Sequence, residues 1–75
     1  MYELKVIGER IKNIRESQGM TRQDLCIMSA THYTHLMNIE NGKTNPQFKT
    51  ILTILDALDI RMEDLLEQSQ KNHPQ

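Results

Sequence analysis

The stretch Thr21–Gly42, TRQDLCIMSATHYTHLMNIENG, reads as two short amphipathic helices joined by a turn of roughly three or four residues and closed by Asn41-Gly42. Leu25, Cys26, Leu36 and Ile39 fall where two helices crossing at a steep angle touch, so these apolar residues form the seam between them. Arg22, Tyr33, Thr34, Met37 and Asn38 lie off that seam and are left to meet a partner.

Upstream, Leu4, Ile7, Ile11 and Ile14 recur at intervals of three and four, which marks one face of a helix from Leu4 to Ser17 that Gly19 stops. Thr21 with Asp24 makes a capping box in which Asp stands for Glu, and the helix it opens runs to about Met28 or Ser29. The turn Ser29-Ala30-Thr31-His32 has no glycine to accept a positive φ, so it is expected to be strained or differently shaped. The third helix spans about His32 to Glu40, and Gly42 supplies its left-handed cap.

Beyond the polar loop Lys43-Thr44-Asn45, Pro46 suits the first turn of a fourth helix. Phe48, Ile51, Leu52, Ile54, Leu55 and Leu58 make that helix apolar over more than one stripe, which exceeds what a monomer buries. A fifth helix, about Met62 to Gln68, presents Met62, Leu65 and Leu66 after Ile60. Residues 68–75 form a polar tail with nothing to bury, expected to be disordered, so the folded unit is 1–67. With no strand pattern and no repeat, the expected fold is all-α, a compact five-helix bundle with its helix-turn-helix at about residues 21–40.

The chain has 75 residues, a size at which one hydrophobic core supplies only roughly 3–5 kcal/mol. A single cysteine, Cys26, closes no internal disulfide, and no Cys/His set has zinc spacing, so self-association is the expected reinforcement. The N-terminal MYELKVIGER is charged and amphipathic, unlike a signal peptide, and no apolar run reaches membrane-spanning length; a soluble, cytoplasmic protein is expected. The formal net charge is −1, but residues 1–50 carry seven Lys/Arg against five Asp/Glu while residues 51–75 carry two against five.

Without a glycine-rich phosphate loop, a metal set or a triad, an enzyme is not expected. His32 and His35 lie three apart and, with Cys26, invite a metal reading, but they lack enough ligands for a tetrahedral site, and Cys26 on the seam reads as a small hydrophobe. No metal and no cofactor are expected. Arg15 and Glu40 each lie against a buried seam, which favours an ion pair between the first and third helices over two solvated charges.

In order and without gaps, IGERIKNIRESQGMTRQDLC, IENGKTNP and ILDALDIRMEDLL, spanning nearly residues 7–67, resemble the lambda-repressor-like helix-turn-helix family, the Xre or Cro/CI type. The resemblance implies a five-helix bundle whose third helix, 32–40, enters the major groove of double-stranded DNA and whose last helices pair two subunits. Carried over by position, it implies base contacts from Tyr33, Thr34, Met37 and Asn38, and phosphate contacts from Arg22, His32, Asn41, Lys43 and Thr44. Arg22 would also buttress the third helix, and Arg15 and Glu40 match an ion pair tying helix one to helix three. The implied dimer interface is Leu52, Leu55, Ile60, Met62, Leu65 and Leu66.

The chain departs from the pattern at Ala30, Thr31 and His32 in the turn, at Cys26 on the seam, and at Asp59 and Arg61 between the last two helices. The chemistry still suits DNA. Asn38 can pair with adenine through one acceptor and one donor, Thr34 or Met37 can pack a thymine methyl, and Tyr33 offers a hydroxyl. The basic excess lies with the helix pair, where phosphate needs it. The expected function is that of a homodimeric transcriptional regulator reading a palindromic operator. The alternative is an antitoxin that binds a partner toxin through the last helices and also binds its own promoter.

Overall fold

The computed structural model describes residues 3–67, over which the chain forms five α-helices and no strand. These are α1 (Leu4–Ser17), α2 (Arg22–Ser29), α3 (Tyr33–Glu40), α4 (Phe48–Leu58) and α5 (Met62–Leu66). α2 packs on both α3 and α4, while α1 packs on α3 and on α5. No helix among the described residues is long and apolar enough to cross a membrane.

The core collects one apolar stripe from each helix. Ile11, Leu25, Leu36, Ile39, Ile54, Leu58 and Leu65 are almost fully buried, with Cys26, Ile51 and Leu55 beside them and Ile7, Ile14, Met20 and Met62 packed against the edge. Each fully buried side chain of this size contributes about 1.5–3 kcal/mol of transfer free energy. The seam expected between the paired helices, Leu25, Cys26, Leu36 and Ile39, lies wholly inside this core. Leu4, expected on the buried face of α1, is exposed at the helix's first turn.

The ends of α1 to α4 share one device. After each, an N–H reaches back to the carbonyl five residues earlier: Met20 to Arg15, Thr31 to Cys26, Lys43 to Asn38 and Ile60 to Leu55. Each such closure requires a left-handed residue just before it. Gly19 and Gly42 fill two of these positions; Ala30 (φ 54°) and Asp59 (φ 58°) fill the others. The glycine-free turn therefore keeps the ordinary shape and carries the strain at Ala30. Ser29 helps hold it, donating its hydroxyl to the Leu25 carbonyl at 2.7 Å and lying 3.0 Å from the Thr31 hydroxyl.

Three boundaries differ from the sequence expectation. His32 precedes α3 as an extended N-cap without a side-chain capping bond, because its imidazole replaces the short hydroxyl that would reach the following N–H groups. Gln47 is the N-cap of α4, so Pro46 lies ahead of the helix and not in its first turn. α5 ends at Leu66, two residues short of the expected end; Gln68, the tail to residue 75, Met1 and Tyr2 lie outside the described residues. Arg10 closes α5 by donating from Nη1 to the Leu66 carbonyl at 2.8 Å and the Leu65 carbonyl at 3.3 Å, placing a cation at the negative end of the helix.

Gly8 sits where α1 meets the last turn of α3, and a Cβ there would run into the Ile39 and Glu40 carbonyls, which are backbone and cannot swing aside. Gly8→Ala is expected to lower unfolding free energy by about 2–3 kcal/mol in urea titration. Ala30→Gly, which relieves a left-handed alanine, is expected to raise it by about 1 kcal/mol.

Candidate nucleic-acid interface

α3 divides its residues cleanly between protein and solvent. Leu36, Ile39 and Glu40 are buried, and on the opposite side Tyr33 and Thr34 are exposed while Met37 and Asn38 are half-buried. Positions 33, 34, 37 and 38 form two adjacent i, i+4 pairs, so they make one continuous strip along the helix. This strip brings together the four residues assigned to base contact from sequence.

The angle of that strip is fixed from beneath by a charged cluster. Glu40 is buried to 3% exposure and its carboxylate accepts from two arginines. Arg15 meets it with both edges of a fork, Nε to Oε2 at 2.7 Å and Nη2 to Oε1 at 3.1 Å, and donates from Nη1 to the Met20 carbonyl at 2.9 Å. Arg22, first residue of α2, donates from Nε to the same Oε1 at 3.1 Å. Its Nη1 reaches the Tyr33 hydroxyl at 3.2 Å, and its guanidinium carbon lies 5.5 Å from the Tyr33 ring centre. The cluster thus ties α1, α2 and both ends of α3 together.

The Tyr33 hydroxyl, with Glu40, raises the Arg22 pKa from its already high value, against the opposing effect of burial. Arg22 is placed by a capping box immediately before it: Asp24 N–H donates to the Thr21 hydroxyl at 3.0 Å and Thr21 N–H to the Asp24 carboxylate at 2.9 Å. Those bonds lower the Asp24 pKa, the Thr21 backbone N–H first and its hydroxyl second, so their contribution is present at neutral pH and fades as pH falls through the folded value.

The residues assigned to phosphate contact lie at the two ends of the strip. Arg22 and the exposed His32 flank its start; Asn41 and Lys43, both exposed, and the half-buried Thr44 follow its end. Arg22 is less available than the sequence implies, since two of its nitrogens are engaged by Glu40 and Tyr33. Among the described residues no three His, Cys, Asp or Glu converge as a metal site. Cys26 is buried on the seam, and burial first, with the Glu40 charge second, pushes its thiol pKa up, which makes it a poor nucleophile.

The six residues assigned to a dimer interface separate into two groups. Leu55 and Leu65 are 3% and 1% exposed within the protomer's own core and present no surface to a partner. Leu55 is spent on the buried stripe of α4, and Leu65 is the buried residue of α5. Leu52 is exposed, and Ile60, Met62 and Leu66 are half-buried. Sequence reading missed Phe48, which is 68% exposed, and Leu4. With Ile7, Ile51, Met62 and Leu66 they line an apolar groove of about 260 Å³ between α1, α4 and α5. The surplus apolar stripe of α4 was the available signal for Phe48.

The family model for the Cro/C1-type HTH DNA-binding domain matches residues 10–71, most of the chain. The chain belongs to that family. The Cro/C1-type HTH domain is a DNA-binding domain. Among curated proteins, the chain is 29% identical over 59 residues to the HTH-type transcriptional regulator DdrOP3 of Deinococcus deserti, covering 79% of the chain and 46% of the relative. The chain spans about half the length of that relative. Solved restriction-modification controller proteins have the same fold. C.AhdI from Aeromonas hydrophila matches at TM-score 0.80 and 27% identity over 83% of this chain and 94% of its own. Wild-type C.Esp1396I matches at TM-score 0.83 and 28% identity over 95% and 92%. The same controller has been solved as a tetramer on its natural 35-base-pair operator, where its chain matches at TM-score 0.83.

Within this Cro/C1-type domain, Glu40→Gln removes the one carboxylate that two guanidiniums share and leaves Arg15 buried beside a neutral amide. Unfolding free energy is expected to fall by about 3–5 kcal/mol, read from the denaturant midpoint.

Proposed function

We propose that the chain acts as a homodimer that binds double-stranded DNA sequence-specifically and regulates transcription by occupying an operator. The observation that carries this reading is the continuous strip of Tyr33, Thr34, Met37 and Asn38 on α3, exposed or half-buried and held from below by Arg15, Arg22 and Glu40. A short helix with a fixed roll angle and polar groups at successive positions suits a major groove.

In this reading α3 lies in the groove. Asn38 pairs with an adenine, Thr34 and Met37 pack against a thymine methyl, and Tyr33 directs its hydroxyl edge, already engaged by Arg22, to a base or phosphate. Lys43, Asn41, Thr44 and His32 hold the phosphate chain on either side and set the register without reading sequence.

One such helix covers a short half-site, so a second copy related by a twofold axis is required to read an operator of useful length. The proposed interface is the apolar groove lined by Leu4, Phe48, Met62 and Leu66, together with the exposed Leu52 and the half-buried Ile60. Its support is the exposure of Phe48 and Leu52, large apolar side chains on one helix that a protomer by itself leaves in water. The operator-bound tetramer of C.Esp1396I, similar over nearly its whole chain, is a precedent for such assembly on DNA.

Random-sequence selection on duplex DNA tests the reading: a twofold-symmetric consensus is expected, and enrichment of no sequence above random duplex at matched salt would overturn it. Asn38→Ala is expected to cost about 1–3 kcal/mol on the selected site and to relax preference at one base pair per half-site. Leu52→Asp is expected to convert a dimer to a monomer in sedimentation velocity while the helical circular dichroism stays unchanged.

A further inference from the structure

The sequence reading assigns no DNA contact to α1, yet its first turns lie directly against the loop that follows α3. A Cβ on Gly42 would meet the backbone of Lys5, so the start of α1 and the Asn41-Gly42-Lys43 loop are in contact. Beside that contact opens a second, polar cleft of about 200 Å³ lined by Lys5, Glu9, Lys12, Glu40 and Asn41. Lys5 is exposed and Lys12 half-buried, and no carboxylate pairs with either among the described residues.

The charge balance of this cleft decides what fits it. Glu40 is already compensated by Arg15 and Arg22, so it leaves no net negative charge toward the opening. Two lysines then face a single acidic neighbour, Glu9, and Lys43 lies close by in the adjoining loop. Asn41 belongs both to the cleft and to the loop assigned to phosphate. A polyanion held at Asn41 and Lys43 is therefore led along α1 and not away from it.

Resting on the DNA reading above, we propose that Lys5 and Lys12 on α1 form, with Asn41, an additional phosphate-binding cleft that takes the next phosphates of the same DNA backbone past the α3–α4 loop. The contact extends the footprint of each protomer beyond its half-site and adds affinity without sequence information. Because its contacts go to phosphate and not to bases, the cleft strengthens specific and non-specific duplex equally, and Glu9 moderates its strength.

The test is the salt dependence of duplex binding by the intact chain and by a Lys5→Gln/Lys12→Gln double variant, on the selected site and on random duplex. Loss of two phosphate contacts per protomer, four in the bound dimer, is expected to flatten the slope of log K against log salt by about 3.6, so that between about 50 and 200 mM salt the variant loses about 150-fold less affinity than the parent. The same flattening is expected on both duplexes, with thermal unfolding unchanged, and Glu9→Gln is expected to tighten both. An unchanged slope with normal binding by the parent would overturn the cleft alone, as would a change confined to the selected site. Failure of the parent chain to bind any duplex would overturn the DNA reading and this proposal with it.

Discussion

Everything that positions α3 depends on one buried carboxylate. Glu40 has no exposed side-chain surface, and it is held by the forked guanidinium of Arg15 and by Nε of Arg22. The cost of burying Glu40 and Arg15, with Arg22 partly covered, consumes most of their mutual attraction, so the cluster adds little net stability. Its contribution is geometric. A helix of eight residues has two buried apolar side chains for footing, Leu36 and Ile39, and could roll about its axis on those two alone. Bidentate bonding at its last residue and an arginine contact at its first, Tyr33, fix both ends, and with them the direction in which Thr34, Met37 and Asn38 point.

The backbone supplies the same rigidity at the loops. Four successive helices end in one geometry, each closed by an N–H reaching back five residues. Two of the four were visible in the chain as Gly19 and Gly42. The other two were harder to read: Asp59 has a modest local tolerance for the left-handed conformation, and Ala30 has none that would announce it. The absence of glycine left two expectations for the turn, strain or a changed shape, and the structure has the first: an ordinary turn carrying about 1–2 kcal/mol of strain at Ala30.

The same contrast runs through the candidate site. The seam residues, the capping box at Thr21 and the solvent-facing strip of α3 follow from helical spacing, and spacing is written in the sequence. The Arg15 and Glu40 pair was legible because both charges fell against apolar seams. Less legible was anything that depends on how much of α4 is used internally. Its apolar positions exceed one stripe, but only coordinates separate Leu55, consumed by the core, from Phe48 and Leu52, left outside. The engagement of Arg22 by Tyr33 was likewise hidden, since it depends on the crossing of α2 and α3 and not on either helix alone.

The central claim is that the strip of α3, at the angle set by Glu40, is the surface that meets duplex DNA. Amide chemical shifts in a ¹⁵N-labelled chain titrated with its selected duplex test it most directly. The account predicts large changes from Tyr33 through Asn38 and in the loop Asn41–Thr44, with Leu58, Ile60 and Leu65 unmoved once dimerisation is complete. Changes confined to α4 and α5, with Tyr33, Thr34, Met37 and Asn38 unperturbed at saturation, would contradict it.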